Sequence, residues 1–285
     1  MARLSPVRFA RSPHAPLEYS RTLWMRLWVG AVMIFLYAPL IVLIIFSFND
    51  SKRNVVWRGF TTRYYEKALG NDQLVEALVN SLTIAALATL ASLVLGTLAA
   101  VMLWRFRFPW KGAVDGTISL PIIVPEICLG VAFLMFFAAV GWPNDLVWPF
   151  NLGAITIAHI TFCFPFVTMV VRSRLASFNR EQEEAAKDLG ASEWQVFRDI
   201  LLPHIKPALV AGALLSFTLS LDDFVITYFT SGPDTITFPV KVYSMVRFSV
   251  TPEVNAASTL LIVLTVVLTF VALKLQGVKS IAETH

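Results

Sequence analysis

Residues 173–207 read SRLASFNREQEEAAKDLGASEWQVFRDILLPHIKP, a polar island in a chain that is otherwise mostly apolar. The pattern predicts two short helices with a break between them. Asn179 can cap the first, with Gln182 as its reciprocal partner three residues on, and Glu181, Glu183 and Glu184 fill the first turn, where the helix dipole favours anions. Gly190 supplies the left-handed residue that closes this helix. Ser192 and Gln195 form a second capping box. The helix they open carries Phe197, Ile200 and Leu201 on one side and is expected to stop at Pro203.

Outward from this island the composition changes sharply. Of the 285 residues, 56% are hydrophobic and 15% charged, against about 25% charged in an ordinary soluble domain. Soluble globular, disordered and fibrous classes are excluded on that ground. Stretches long enough to cross a ~30 Å hydrocarbon layer, which takes about 20 residues, recur at 24–46, 79–103, 117–140, 153–171, 208–229 and 254–275. Lipid offers no partners for backbone N–H and C=O groups, so each is expected to be helical. The reading is an all-α membrane protein with six transmembrane helices over 24–275, an N-terminal arm 1–23 and a tail 276–285. Cys128 and Cys163 lie inside apolar stretches and read as buried hydrophobes, not as a disulfide framework. The first apolar stretch is too long for a secretory signal and reads as an anchor.

Lys and Arg placement gives an orientation. With the N-terminus inside, the inner segments hold more than twice as many basic residues as the outer ones, and 141–152 holds none, so both termini are expected to be cytoplasmic. No basic run is long enough for nucleic acid. The segment 49–76 is basic but nearly balanced by Asp50, Glu66, Asp72 and Glu76. Its Tyr64, Tyr65 and Ala68 suit a short helix lying on the membrane surface.

Glu184-Ala185-Ala186, then Gly190, Ile200, Leu202 and Pro203 fall at the spacing E-A-A-x3-G-x9-I-x-L-P. This resembles the coupling signature of ABC-importer permeases at every fixed position. Further stretches are similar to the polyamine (spermidine/putrescine) branch of that family, to its second permease subunit in particular. They include Phe46-Ser47-Phe48-Asn49, Asn80-Ser81-Leu82-Thr83, Ser220-Leu221-Asp222-Asp223, Ser231-Gly232-Pro233 and Pro252-Glu253-Val254-Asn255-Ala256. The resemblance implies a type I, six-helix ABC importer permease in a bacterial inner membrane, with cytoplasmic coupling helices that dock on the ATPase. It implies that Glu184 faces a basic residue of the ATPase, that the two alanines allow close approach, and that Gly190 permits the turn. The implied partners are a homodimeric ATPase that carries ATP and Mg, a second homologous permease subunit and an extracytoplasmic polyamine-binding protein. This chain itself would hold no cofactor or metal and would catalyse no reaction.

Ionisable residues within spans are functional candidates by default. Glu126 follows Pro121 and Pro125 near mid-membrane, where two prolines four apart should bend or open the helix. In the fifth span Ser216, Ser220, Asp223 and Thr227 recur at i, i+4, i+7 and i+11, which predicts a polar stripe with Asp223 on the pathway and Asp222 close behind. A Lys or Arg partner for the aspartates is the rival reading. Carboxylates and aromatic faces can replace the hydration of a polyammonium chain, which adds Tyr228 and Phe229 as candidates.

No Gly-Lys dipeptide occurs, so no phosphate-cradling P-loop is present and energy must come from another polypeptide. His14, His159, His204 and His285 are too scattered for a metal motif, and His159 reads as a packed polar residue. Two alternatives stand beside the polyamine reading: an ABC permease for another small solute, and a proton-coupled secondary carrier.

Overall fold

A computed structural model of the chain describes residues 23–51, 56–143, 146–248 and 251–275. The arm through residue 22 and the tail from 276 lie outside the described residues. Among the described residues the chain is helical and forms no strand; one isolated antiparallel bridge joins Asn49 and Phe60. Helix α1 spans Leu23–Phe46 and α2 Arg63–Leu69. Helix α3 runs over Asp72–Arg105 and starts several residues earlier than hydropathy alone predicts, because the Asn71 side chain accepts from the Leu74 N–H at 3.3 Å and caps it.

The next elements are α4 (Lys111–Ile123), α5 (Glu126–Ala139) and α6 (Gly153–Leu175). They are followed by α7 (Glu181–Asp188), α8 (Glu193–Val196) and, after a π turn over Phe197–Leu201, α9 (Leu202–Asp222). Helices α10 (Val225–Thr230), α11 (Phe238–Phe248) and α12 (Pro252–Leu275) complete the described chain. Five helices are long and apolar enough to cross a membrane, or six when α4 and α5 count as one span bent by 106°.

Four local expectations are corrected. Cys128, expected to be a buried hydrophobe, is exposed in α5 of the third span, while Cys163 is buried as expected. Pro203 does not end its helix. In the π turn the Leu202 N–H reaches back five residues to the Phe197 carbonyl, and this restarts the register so that Pro203, which has no N–H to give, sits in the first turn of α9. Asn179 stands one residue ahead of the N-cap, Arg180, and accepts from the Glu181 N–H at 3.0 Å in a local turn, so no reciprocal box forms with Gln182. The Ser192/Gln195 box does form. Helix α2 does not lie in the interface with its apolar face to lipid: Tyr64 and Ala68 are buried against the bundle, and the Tyr64 hydroxyl donates to the Ser51 carbonyl.

The centre of the bundle is α3, α6 and α9. Helix α3 turns a seam of small residues inward, among them Ala77, Ser81, Ala85, Ala88, Ser92, Gly96 and Ala100. Small residues let backbones approach where the hydrophobic effect gives no drive between helices in lipid. The approach is closest at Val167 of α6. A Cβ on Gly96 would stand 2.7 Å from the Val167 Cβ and 2.9 Å from the Phe164 carbonyl oxygen, while one on Gly212 of α9 would meet Val167 at 3.4 Å. Val167 is therefore seated between two glycines. Below it Val171, Leu175, Phe178, Leu201 and Ile205 form a core toward the polar island.

A Gly96→Val change should force α3 away from α6 and destabilise the fold by about 1–3 kcal/mol. Gly212→Ala, which meets only ordinary contact, should be nearly neutral. Thermal unfolding of the two purified variants in detergent checks the difference.

Candidate functional site: two helix breaks and a clamped helical pair

The first break lies in the third span. Pro125 lacks the N–H that would continue α4, and its ring pushes Val124 into extended geometry (φ −72°, ψ 132°). The helix restarts at Glu126 after Pro125, whose carbonyl accepts from Cys128 at 2.9 Å and Leu129 at 3.2 Å. Glu126 thus occupies the first position of a half-helix, where a carboxylate faces unpaired backbone N–H groups.

The second break lies in the fifth span at Asp223 (φ −61°, ψ 125°). Its Oδ2 accepts from the Thr227 backbone N–H at 2.8 Å and from the Thr227 hydroxyl at 2.8 Å, and its Oδ1 from the Ile226 N–H at 3.4 Å. This one carboxylate caps α10. It is joined by His159 of α6, whose Nε2 lies 3.3 Å from Asp223 Oδ2 and 2.9 Å from Thr227 Oγ1, with Nδ1 2.7 Å from Ser220 Oγ. Because the Thr227 hydroxyl donates to Asp223, it accepts from His159, which places a proton on Nε2. His159, Ser220, Asp223 and Thr227 are all buried.

The geometry separates the two aspartates of the fifth span. The stripe of Ser216, Ser220, Asp223 and Thr227 turns inward on α6, and Asp223 is consumed in holding the break. Its partner is a histidine, whereas the rival reading of the sequence had a Lys or Arg pairing with the aspartates. Asp222, on the other side of the chain, is exposed, as is Glu126. The two carboxylates lie within electrostatic range of each other, and neither has an ion-pair partner among the described residues.

Helices α5 and α10 bring the two breaks together. The Phe229 ring fills the place a side chain on Gly130 would need, 2.7 Å from its Cβ position. Next to the second break the rings of Phe224, Tyr228 and Tyr243 form a cluster, with centroids 4.7 Å apart for Phe224–Tyr243 and 6.2 Å for Tyr228–Tyr243. Tyr228 and Tyr243 are about half exposed. Of the residues singled out in the sequence, Glu126, Asp222 and Tyr228 share this region. Tyr243 and Phe224 were missed, and no sequence pattern ties α11 to the fifth span.

At the other end, the polar island is a clamped pair. Arg105, the last residue of α3, reaches Glu183 Oε1 at 3.2 Å on α7 and Glu193 Oε2 at 2.9 Å on α8. Lys187 also pairs with Glu193. Arg180 lies over the Trp104 ring at 4.6 Å and donates to the Trp104 carbonyl at 3.1 Å. The signature residues divide in two. Glu184 and Ala185 are exposed, with Ala186 beside them, and Glu184 has no ion-pair partner among the described residues. Gly190 takes φ +87°. Ile200 and Leu202 pack on the core below Val167, and Pro203 is exposed. Glu183, adjacent to the signature glutamate, is the one used internally.

These breaks, the clamped pair and the bundle define a membrane permease. The chain belongs to the family described as "Binding-protein-dependent transport system inner membrane component", whose model matches residues 92–278. It is a multi-pass inner-membrane translocation subunit of the ABC-importer class and not an enzyme. Among its relatives, the putrescine transport system permease protein PotI of Escherichia coli (strain K12) is 47% identical over 231 residues, 80% of this chain and 82% of that protein. The spermidine/putrescine transport system permease protein PotC of the same strain is 42% identical over 243 residues, 85% and 89% of the two chains. The fold is that of a chain in the crystal structure of a bacterial ABC transporter for the acidic polysaccharide alginate, with a TM-score of 0.70 at 19% identity, covering 91% of this chain and 94% of that one.

Asp223→Ala should leave His159 and two N–H groups of α10 without their acceptor, a loss of about 1–3 kcal/mol. Asp222→Asn should leave stability unchanged. Parallel melting curves of the detergent-solubilised variants check both.

Proposed function

We propose that this chain is the permease subunit through which polyamines, putrescine and spermidine among them, cross the bacterial inner membrane. The observation that carries the proposal is the pair of unpartnered carboxylates, Glu126 and Asp222, at two adjacent helix breaks beside the Phe224, Tyr228 and Tyr243 rings. Discontinuous helices expose charged groups and backbone at the point of passage without exposing polar backbone to lipid. A polyammonium chain loses its hydration there to carboxylates and aromatic faces. The names of PotI and PotC, 47% and 42% identical, support the same cargo.

In this reading the chain lines half of a lumen that a second homologous permease completes, with Glu126 and Asp222 facing it. A homodimeric ATPase that carries ATP and Mg docks on the exposed face of α7, with Glu184 opposite a basic residue. An extracytoplasmic binding protein delivers the substrate, and both termini are cytoplasmic. The clamped island, bolted to the end of α3 through Trp104 and Arg105, passes the movement on as a rigid body.

Uptake of labelled putrescine into vesicles holding the assembled importer tests this reading. With ATP inside, uptake should survive collapse of the proton gradient. Glu126→Gln and Asp222→Asn should each lower it about tenfold, the loss of roughly 1.4 kcal/mol of charge stabilisation during passage. Gly190→Val, strained at its left-handed position, should leave the chain inserted and weaken retention of the ATPase on purification. Unchanged uptake in both carboxylate variants would remove the site from the mechanism.

A further inference from the structure

At the end of the bundle opposite the clamped pair, three cavities adjoin. One of about 340 Å³ lies between the loop after α5 and the loop after α10, and Trp142, Leu146, Asn151 and Asp234 line it. A second, about 210 Å³, shares Asp234 with it and adds Glu76, Asn80 and Lys241. A third, about 350 Å³, shares Trp142 and continues to Phe229, the ring packed on Gly130 one turn from Glu126. The cavities thus form a chain that leads from the outer loops to the two breaks.

Two buried polar atoms along these cavities lack a partner among the described residues, one an acceptor and one a donor, while the two carboxylates that line them, Glu76 and Asp234, are of one sign. Among the described residues, buried Asn151 Oδ1 has no hydrogen-bond partner, and the same holds for Trp142 Nε1. A buried polar atom is costly to leave unpaired, so each of these atoms offers a position where a solute or water can bind. Asp234 and Glu76 have no ion-pair partner among the described residues. The nearest cation, Lys241, is held by the neutral Gln73 amide at 2.6 Å. Trp142 is fixed in place by Phe137, at 5.3 Å between ring centroids, and by the Gly153 backbone beneath it.

An organic ammonium suits this set: it donates to Asn151 Oδ1 and to the Asp234 carboxylate and is attracted by an aromatic face. The indole N–H is left to water carried with the cation. An anion would meet Asp234 and Glu76, and an uncharged solute could satisfy Asn151 but would leave both carboxylates without a counter-charge. We propose that the cavity between Trp142, Asn151 and Asp234 is an entry subsite that takes one primary ammonium group before the substrate reaches Glu126 and Asp222. Asp234 borders two cavities, so a chain with two ammonium groups can set one on each side of it, the second against Glu76. This inference rests on the polyamine reading and adds to it a place where the cargo waits.

The test is protection of a cysteine in the assembled importer. Leu146→Cys is introduced with the exposed Cys128 changed to Ser, while Cys163 is buried. Modification by a thiol-directed reagent is timed with and without putrescine. At putrescine about ten times its apparent dissociation constant, the modification rate should fall about tenfold, and Asp234→Asn should abolish the protection. Insertion and basal ATPase activity of the Asp234→Asn complex report that it is assembled. Putrescine import by the Leu146→Cys complex without protection of its cysteine would overturn the subsite and leave the permease reading standing. Protection that persists in Asp234→Asn would overturn it too. A parent complex that imports no polyamine would refute the function, and this inference with it.

Discussion

The structure depends on how one helix is broken inside an apolar environment. Interrupting α9 at Asp223 strands backbone N–H groups at the start of α10, and hydrocarbon offers them nothing. The Asp223 carboxylate takes those N–H groups and is itself held by Thr227 and His159. A buried carboxylate is tolerable only with that number of donors around it. With Asp223 spent on the backbone, its neighbour Asp222 is turned outward with its charge uncommitted. The proline break in the third span does the same for Glu126 by a different route, since a missing N–H and a steric push stop the helix without any side chain being used.

The two ends of the molecule are joined by continuous helix. From Glu193 to Asp222 the chain stays helical for 30 residues, through the π turn. At 1.5 Å per residue this is roughly 45 Å of unbroken rod. The clamp of Arg105 on Glu183 and Glu193 fixes the island to α3 at one end of that rod, and Asp222 stands at the other. Ile200 and Leu202, partly buried against the lower core, are the places where the signature merges with the rod, whereas Glu184 and Ala185 remain on its outside face.

Much of this was legible in the sequence. Six apolar stretches, the left-handed Gly190, the Ser192 capping box and the proline break before Glu126 all rest on local rules, and local rules act on neighbours in the chain. Most of what failed had a partner far away. Periodicity put Asp223 on a polar face correctly but could not say that α6 would cover that face with His159, 64 positions earlier. Tyr64 and Ala68 were read as an interfacial face because nothing local announces that α12 will pack on them. Pro203 was read as a stop because the π turn that accommodates it follows from no residue preference in FRDIL. Tyr243 joins the aromatic cluster only through the return of α11 across the bundle.

Val167, lodged between Gly96 and Gly212, has a mechanical meaning. Seated tightly on Gly96 and in ordinary contact with Gly212, it gives α9 a bearing point about which the helix can tilt more easily than it can slide. Gly212 stands ten residues from Asp222 and nineteen from Glu193 along the rod, arms of about 15 Å and 28 Å at the helical rise. Any tilt about that point moves the carboxylate end about half as far as the island end, and with about twice the force. The lever is geared for prying contacts apart.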